Sequence, residues 1–257
     1  MKIATWNVNS LRVRLGQVCD WLTTHQPDVL CLQETKLIDA DFPAKDIRQA
    51  GYHAAYIGQK TYNGVAILSR APAKEVATSF PGVDDTQKRT IAASYGGLRM
   101  LNIYVPNGQE VGSEKYAYKL AWLQRLGDYM REQLNRYPRL ALLGDFNIAP
   151  EERDVHDPAL WEGSVLFSDK ERAAFRDLLG LGMVDVFRKF EQPEKSYTWW
   201  DYRVGAFRRN MGLRIDHILC STALAETCTA CTIDTAPRQL ERPSDHVPVV
   251  AQFKGRP

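Results

Sequence analysis

Apolar residues in this chain occur mainly in short runs that end at polar or turn-forming residues. Runs of this length with such boundaries are typical of buried β-strands. We therefore predict strands at residues 3–8, 29–32, 65–68, 90–93, 100–105, 140–143, 215–219 and 247–251.

Three longer segments carry apolar residues at helical spacing instead. Residues 11–24, 116–134 and 170–179 are predicted to be helices, because apolar side chains recur there every three or four positions. A serine before a helix can accept a bond from a free N–H of the first turn. The predicted N-caps are Ser10, Ser113 and either Ser168 or Asp169.

Two parts of the chain repeat one pattern. Residues 29–34 and 140–145 are each an apolar run that ends in a carboxylate. This echo suggests two facing sheets covered by helices on both outer faces, with the acidic strand ends at one edge. No Gly/Ser-rich or Pro-rich linker interrupts residues 1–257, so we expect a single α/β domain. Long loops at 37–50, 106–115 and 149–168 are expected to surround the site.

Composition excludes some classes of protein. The hydrophobic fraction of 44% and the charged fraction of 25% are ordinary for a globular protein, and the net charge of +2 neither demands nor excludes a nucleic-acid partner. No apolar run approaches the roughly 18 residues that span a bilayer, and the N-terminus has no apolar leader. We expect no membrane contact and a cytoplasmic location.

The cysteines do not predict disulfides. Their number is odd, and Cys31 and Cys220 lie inside apolar runs, where buried free thiols are common. Cys228 and Cys231 form a CxxC pair without a second pair or a nearby histidine. A structural role is therefore favoured over a zinc or redox site.

Acid, amide and histidine side chains stand at several predicted strand ends. One such residue is more often a turn or cap, but five such places together indicate a site. The residues are Asn7 and Asn9, Glu34, Asp145 and Asn147, Asp216, and Asp245 and His246.

Side chains two apart in an extended segment share a face, so Asp145 and Asn147 should point together, whereas Asp245 and His246 should point apart. Magnesium prefers oxygen ligands, and Glu34 is the first candidate. An oxygen-rich set favours Mg²⁺, or alternatively Mn²⁺, over Zn²⁺. His246 could donate to a phosphate oxygen while an aspartate holds its other nitrogen, and another aspartate could orient or deprotonate water.

A basic and aromatic segment follows residue 198. Arginines interleaved with tryptophan and phenylalanine suit phosphate contact beside an unstacked nucleotide. The alternative is a solvated loop with some aromatics in the core. The arginines are Arg203, Arg208, Arg209 and Arg214, and the aromatics include Trp199, Trp200 and Phe207.

Seven motifs occur in an order that resembles the bacterial exonuclease III family of the endonuclease/exonuclease/phosphatase superfamily. The resemblance runs from residue 2 to about residue 253. The motifs are Trp6-Asn7-Val8-Asn9, Leu32-Gln33-Glu34-Thr35-Lys36, Asn63-Gly64-Val65-Ala66, Asn102-Ile103-Tyr104-Val105-Pro106-Asn107-Gly108, Gly144-Asp145-Phe146-Asn147-Ile148-Ala149-Pro150, Gly212-Leu213-Arg214-Ile215-Asp216 and Ser244-Asp245-His246.

The resemblance implies a four-layered α/β sandwich and a Mg²⁺-dependent DNA repair enzyme. Its substrates would be duplex DNA with abasic sites or with blocked or recessed 3′ ends, and no obligate protein partner is expected. The implied activities are 3′ to 5′ exonuclease, 3′-phosphatase or 3′-end trimming, and abasic-site endonuclease.

The resemblance also implies residue roles. Glu34 would bind the metal with support from Asn7, and Asp145 would orient or deprotonate the attacking water. His246 would bind the scissile phosphate, and Tyr104 would contact the phosphate or the leaving group. The implied catalytic set is Tyr104, Asp145, Asn147, Asp216 and His246; the metal set is Asn7, Glu34, Asp145, Asn147 and Asp245; the DNA-binding set is Arg89, Lys115, Trp199, Phe207, Arg208, Arg209 and Arg214. Arg89 and Lys115, together with Tyr116 and Lys119, are the weaker DNA-binding candidates, because Lys and Arg on a helix face are often merely solvated.

Other functions remain open at this stage. Relatives of this fold also hydrolyse inositol phosphates, sphingomyelin or undamaged DNA, and some are binding proteins without catalysis. A 3′-end processor without abasic endonuclease activity is a further alternative, because a bulky Leu166 or Phe167 near the pocket could exclude an internal abasic sugar. The acid and histidine set is complete, which disfavours a silent relative.

Overall fold

The computed structural model describes residues 1–80 and 86–255. Within these residues the strands form two six-stranded sheets. The strands are β1 (Lys2–Asn7), β2 (Val29–Gln33), β3 (His53–Ile57), β4 (Val65–Ser69), β5 (Lys74–Ala77), β6 (Thr90–Tyr95), β7 (Leu98–Tyr104), β8 (Leu140–Asp145), β9 (Met183–Asp185), β10 (Asp216–Ser221), β11 (Cys228–Ile233) and β12 (Val249–Phe253).

The two sheets share a topology. The first has the order β11-β12-β1-β2-β4-β3 and the second the order β5-β6-β7-β8-β10-β9. Each contains one parallel pair, β1 with β2 and β7 with β8, and the other pairings are antiparallel. A parallel pair needs a crossover connection, and a long helix supplies it in both sheets. The repeated pattern in the sequence therefore corresponds to β2 and β8.

The three long helices are close to the predicted segments, and three short helices were not predicted. They are α1 (Leu11–His25), α2 (Ala44–Gln49), α3 (Glu114–Arg136), α4 (Pro158–Trp161), α5 (Asp169–Gly180) and α6 (Thr222–Ala225), with 3₁₀ turns at Asp39–Asp41, Glu152–Asp154, Val186–Lys189 and Ala236–Gln239.

Two of the predicted N-caps are confirmed and one is wrong. The Ser113 side chain accepts from the Tyr116 N–H, and Ser168 forms a capping box with Glu171. Ser10 makes no side-chain cap bond, and its φ of 90° is left-handed. The chain turns sharply there because the Ser10 and Leu11 N–H groups donate to the Glu34 and Thr35 carbonyls of the loop after β2.

Three apolar layers separate four layers of secondary structure. Ile67, Met100 and Ile218 lie in the cluster between the facing sheets. A second cluster packs α3 and α5 on one sheet, and a third packs α1 and α2 on the other. The predicted four-layered α/β sandwich is confirmed. No helix within residues 1–80 and 86–255 is long and apolar enough to cross a membrane.

Candidate active site

The polar strand ends meet at one edge of the two sheets. Because β1 and β2 are parallel, Asn7 and Glu34 leave the first sheet at the same edge. In the second sheet Tyr104 pairs with Asp145, and antiparallel β10 begins at Asp216 directly opposite Asp145. The fold thus brings together side chains from separate segments, as the sequence predicted.

Asn7 connects the two sheets at this edge. Its Nδ2 donates to Glu34 Oε1 at 2.9 Å and to Asp145 Oδ2 at 2.9 Å. Its Oδ1 accepts from the Asn9 N–H, so the amide is fixed in one orientation. Asn7 is fully buried. A buried amide with these partners holds the two carboxylates at a defined separation.

His246 lies between two aspartates. Its Nδ1 is 2.8 Å from Asp216 Oδ2 and its Nε2 is 3.7 Å from Asp145 Oδ2. Burial alone lowers the pKa of His246, but the negative charges of Asp216 and Asp145 outweigh burial and raise the pKa to about 10. The imidazole is therefore an imidazolium at neutral pH, with Nδ1–H donating to Asp216 and Nε2–H directed into the site.

Asp145 has an unusual environment for a carboxylate. Burial raises its pKa to about 7, against the lowering effect of His246. Gly144, immediately before it, has φ 143°, and a Cβ there would lie 1.9 Å from the Ile103 carbonyl oxygen. Only glycine lets β8 approach β7 this closely. A carboxyl that titrates near neutrality suits the orientation or deprotonation of water.

Three of these side chains form a group that could hold a metal ion. Ligand atoms of Glu34, Asp145 and His246 all lie within 4.8 Å of one another. Two carboxylates with little competition from nitrogen fit a hard divalent cation, since the His246 nitrogens carry protons in the ion-paired state. Lys36 Nζ lies 2.9 Å from Glu34 Oε2 and balances part of the negative charge.

Another predicted metal ligand, Asp245, has other partners. It accepts from Trp199 Nε1 at 2.9 Å and from Asn9 Nδ2 at 2.9 Å, and it does not belong to the group of three. Burial raises the pKa of Asp245, but His246 and the bonds from Trp199 and Asn9 outweigh it and lower the pKa. Asp245 and His246 do point apart, as expected.

Asn147 does not share a strand face with Asp145, contrary to the prediction. The strand ends at Asp145, and Asn147 has a left-handed φ of 50°, so strand alternation does not apply to it. Its N–H donates to Asp145 Oδ1 at 2.8 Å, and its Nδ2 donates to the Val105 carbonyl at 2.9 Å. Its Oδ1 accepts from Asn107 Nδ2 at 3.3 Å. A tight turn after β8 therefore brings Asn147 close to Asp145.

Tyr104 lies next to the carboxylates at the end of β7. Burial, together with the charges of Glu34 and Asp145, raises the pKa of Tyr104 well above its ordinary value, so the phenol keeps its proton. The Arg89 guanidinium lies 4.7 Å from the centre of the Tyr104 ring. Beside it, Arg89, Asn107 and exposed Lys115 line an open cavity of about 590 Å³.

The basic and aromatic segment divides into surface and interior parts. Arg208 and Arg209 are exposed, and Trp199 pairs with His246 through an isolated bridge. Phe207 is half-buried with its ring 5.0 Å from that of Trp200. Their exposure would allow Arg208 and Arg209 to contact DNA, whereas the Phe207 side chain packs partly into the protein interior.

The predicted DNA contact by Arg214 is wrong. Its side chain is 2% exposed and ion-pairs with Asp154 at 2.6 Å and Asp185 at 2.8 Å. Its Nη1 also lies 3.0 Å from His217 Nδ1, and His217 Nε2 lies 2.8 Å from the Ile148 carbonyl. Because a carbonyl only accepts, His217 carries its proton on Nε2 and accepts from Arg214. The Arg214 guanidinium, two residues before Asp216 in the chain, is therefore bound by partners in the protein interior.

Sequence reasoning missed some residues that support the site. Thr198 Oγ1 accepts the N–H groups of Ile215 and Asp216, which fixes the start of β10. Nothing in the pattern singles out this threonine. Leu166 and Phe167, expected near the pocket, are buried in a cluster with Leu213 and do not line open surface.

The chain is similar to known nucleases over its whole length. Residues 4–246 match the endonuclease/exonuclease/phosphatase family. Exodeoxyribonuclease III of Haemophilus influenzae is 36% identical over 99% of this chain and 100% of its own length.

Two solved structures extend the likeness. The 3′ phosphatase from Neisseria bound to a product DNA hairpin shares 46% identity, with a TM-score of 0.97 over 99% of this chain and 100% of its own. An AP endonuclease from Archaeoglobus fulgidus shares 43% identity, with a TM-score of 0.95 and the same coverage. The protein therefore belongs to the endonuclease/exonuclease/phosphatase family.

Proposed function

We propose that this protein is a divalent-metal-dependent hydrolase of DNA phosphate esters that acts in DNA repair. The observation that carries the proposal is the buried Asp216–His246 pair opposite Asp145, next to Glu34. The names of its relatives, an exodeoxyribonuclease III, a 3′ phosphatase and an AP endonuclease, support DNA as the substrate.

Magnesium is the proposed ion, with manganese as an alternative. Glu34 and Asp145 would hold it, and Asn7 orients both carboxylates through its two bonds. Oxygen ligands of this kind, with room left for water and phosphate, are what Mg²⁺ requires. When bound, the ion neutralises charge on the phosphate and activates it toward attack.

Asp145 aligns the attacking water, and its carboxylate takes the water proton or holds the water in line. The water oxygen forms a bond to phosphorus while the bond from phosphorus to the leaving oxygen breaks. The Asn147 N–H fixes Asp145 Oδ1 and Asn7 Nδ2 fixes Oδ2, so the carboxylate is held in one orientation for this task. The pKa of Asp145, raised to about 7 by burial, suits a base of this kind.

His246 and Tyr104 act on the phosphate. The His246 imidazolium, held by Asp216, donates from Nε2 to a non-bridging oxygen and stabilises the charge that develops there. The protonated Tyr104 phenol is a second donor, to the phosphate or to the leaving oxygen. His246 is buried and Tyr104 is half-buried, and both lie in the site before substrate binds, so little reorganisation is needed.

Duplex DNA would lie across the loops at this edge. Arg208 and Arg209 on one side, and Arg89 and Lys115 on the other, supply positive charge for phosphates. Trp199 would line the pocket for a terminal nucleotide or an extruded sugar. The proposed substrates are duplexes with abasic sites or with blocked or recessed 3′ ends.

The decisive test uses two end-labelled duplexes, one with an internal abasic analogue and one with a recessed 3′ end carrying a phosphate. Each is incubated with Mg²⁺ and, separately, with EDTA. We expect both duplexes to be processed with Mg²⁺ and neither with EDTA. Processing of only the second would make the protein a dedicated 3′-end processor, and processing of neither would reject the proposal.

A further inference from the structure

Lys119 is a fully buried lysine on α3. The sequence suggested it as a weaker candidate for DNA contact, but its side chain has no exposure to solvent. It lies on the buried face of α3 with Tyr116, Leu123 and Leu126. A lysine in such a position must have partners for its ammonium group, because an unpaired buried charge is very costly.

The ammonium group is saturated by three acceptors. Nζ donates to the Asn147 carbonyl at 2.7 Å and to the Asn107 carbonyl at 3.1 Å, and it pairs with the Glu171 carboxylate. An ammonium has three donors, so all of them are used. Two of the three acceptors belong to asparagines whose side chains bond each other at the edge of the site.

Glu171 extends the connection to a third loop. Its carboxylate accepts from the Leu166 N–H at 3.1 Å, and from the Ser168 N–H at 3.1 Å and hydroxyl at 2.6 Å. The pair therefore joins the loop after β7, the turn after β8 and the segment before α5. The first of these segments follows Tyr104 directly, and the second follows Asp145.

Stability alone does not explain this pair. Replacing a buried ion pair by apolar or neutral groups of similar volume is often neutral or stabilising, because both charges lose hydration. Burial does lower the pKa of Lys119 against the opposing effect of Glu171, which shows that desolvation is significant. The directed bonds to the two carbonyls are what a neutral replacement would lose.

We propose that Lys119, held by Glu171, is a positioning residue that fixes the backbone of Asn147 and Asn107 relative to Asp145. The inference rests on the proposed hydrolase function. Through the Asn147 N–H bond to Asp145 Oδ1 at 2.8 Å, a shift of this turn would move the carboxylate that aligns water. Displacements of about 1 Å at such a group can cost about 100-fold in rate.

The test compares turnover and stability in Lys119→Met/Glu171→Gln and in Glu171→Gln alone, on a duplex with a 3′ phosphate. The double variant removes both charges, so its thermal midpoint should equal or exceed that of the wild type. Its kcat should fall by about 10- to 100-fold while KM changes by less than about threefold. Glu171→Gln leaves an uncompensated ammonium that still bonds both carbonyls, so its thermal midpoint should fall while its kcat stays within about threefold.

A merely structural role would make kcat follow stability across these variants, and a folded double variant with wild-type kcat would overturn the inference. Should the double variant not fold, Lys119→Arg keeps the charge opposite Glu171 but has no donor at the Nζ position. A reduced kcat with little change in KM is expected for it, and wild-type kcat would again overturn the inference. An inactive wild type would reject the proposed function itself, which distinguishes the two failures.

Discussion

His246 Nδ1 lies 2.8 Å from Asp216 Oδ2, although the two residues are 30 positions apart and belong to different sheets. Asp216 begins β10 in one sheet, and His246 precedes β12 in the other. The pair therefore spans the two sheets at the site edge and fixes both the charge and the direction of the imidazole.

Replacing Asp216 by Asn should shift the pH dependence of turnover. Asp216 is the larger of the charges that raise the pKa of His246 to about 10, so without it the imidazolium loses its proton at lower pH. The alkaline limb of the kcat profile should move toward neutrality. Asp234→Asn is the matched control, since Asp234 lies 3.4 Å from His25 away from the site. An alkaline limb that stays in place would contradict the assigned role of Asp216.

Asp145→Asn and His246→Asn should each lower turnover by about two or more orders of magnitude. DNA affinity should stay nearly unchanged, because each variant alters contact with the scissile phosphate alone and leaves the proposed arginine and lysine contacts to the other phosphates in place. Single-turnover hydrolysis and equilibrium binding to a duplex separate the two quantities. Turnover near the wild-type value in either variant would reject the proposed mechanism for that residue.

Glu34→Ala should weaken the response to metal. Glu34 is one of three residues whose ligand atoms lie within 4.8 Å of one another, and it is the least buried of the three. The Mg²⁺ concentration for half-maximal activity should rise at least about tenfold, as the ion loses one of its few protein ligands. Exposed Glu226→Ala on the protein surface serves as the control. An unchanged Mg²⁺ titration would show that Glu34 is not a ligand.

The arginines of residues 203–214 should separate into two classes. Arg208→Ala/Arg209→Ala should weaken DNA binding and reduce its salt dependence, because two phosphate contacts are lost. Arg214→Ala should instead lower the free energy of unfolding by about 3–5 kcal/mol, since Asp154 and Asp185 would remain buried without their cation. Filter binding at several salt concentrations and urea unfolding measure the two effects. Loss of salt dependence without loss of stability in Arg214→Ala would contradict its interior role.

His217 should make the protein less stable in acid. Burial, and then the charge of Arg214, lower its pKa from 6.5 to about 4. The unfolded chain therefore takes up a proton as pH falls below 6.5, while the folded protein does not. The stability that depends on neutral His217 is complete above pH 6.5 and is lost as the pH falls toward 4. The loss is at most about 3 kcal/mol. His217→Gln keeps an acceptor and a donor, and should reduce the decline in urea stability between pH 7.5 and 5. His53→Gln is the control, and an equal decline in His217→Gln would exclude this group as the cause.

Sequence patterns predicted the main strands, the three long helices and two of the three capping serines, Ser113 and Ser168, because these depend on local periodicity and on the chemistry of helix ends. They missed β3, β5, β9 and β11. The outer strand β5 is largely exposed, and β9 has three residues, so neither gives a clear run of apolar positions. These two segments are strands because each is hydrogen-bonded to a neighbouring strand of the sheet.

The sequence by itself determined which chemical groups meet at the candidate site, since apolar runs that must be buried end or begin at Asn7, Glu34, Asp145 and Asp216. Only the tertiary structure decided their partners. Strand register places Asp216 opposite Asp145, and the facing of the sheets brings His246 between them. The same packing buries Arg214 and Lys119, whose sequence neighbours suggest surface charges. Local sequence specifies an element and its ends, whereas the direction of a charged side chain depends on which distant group can satisfy it.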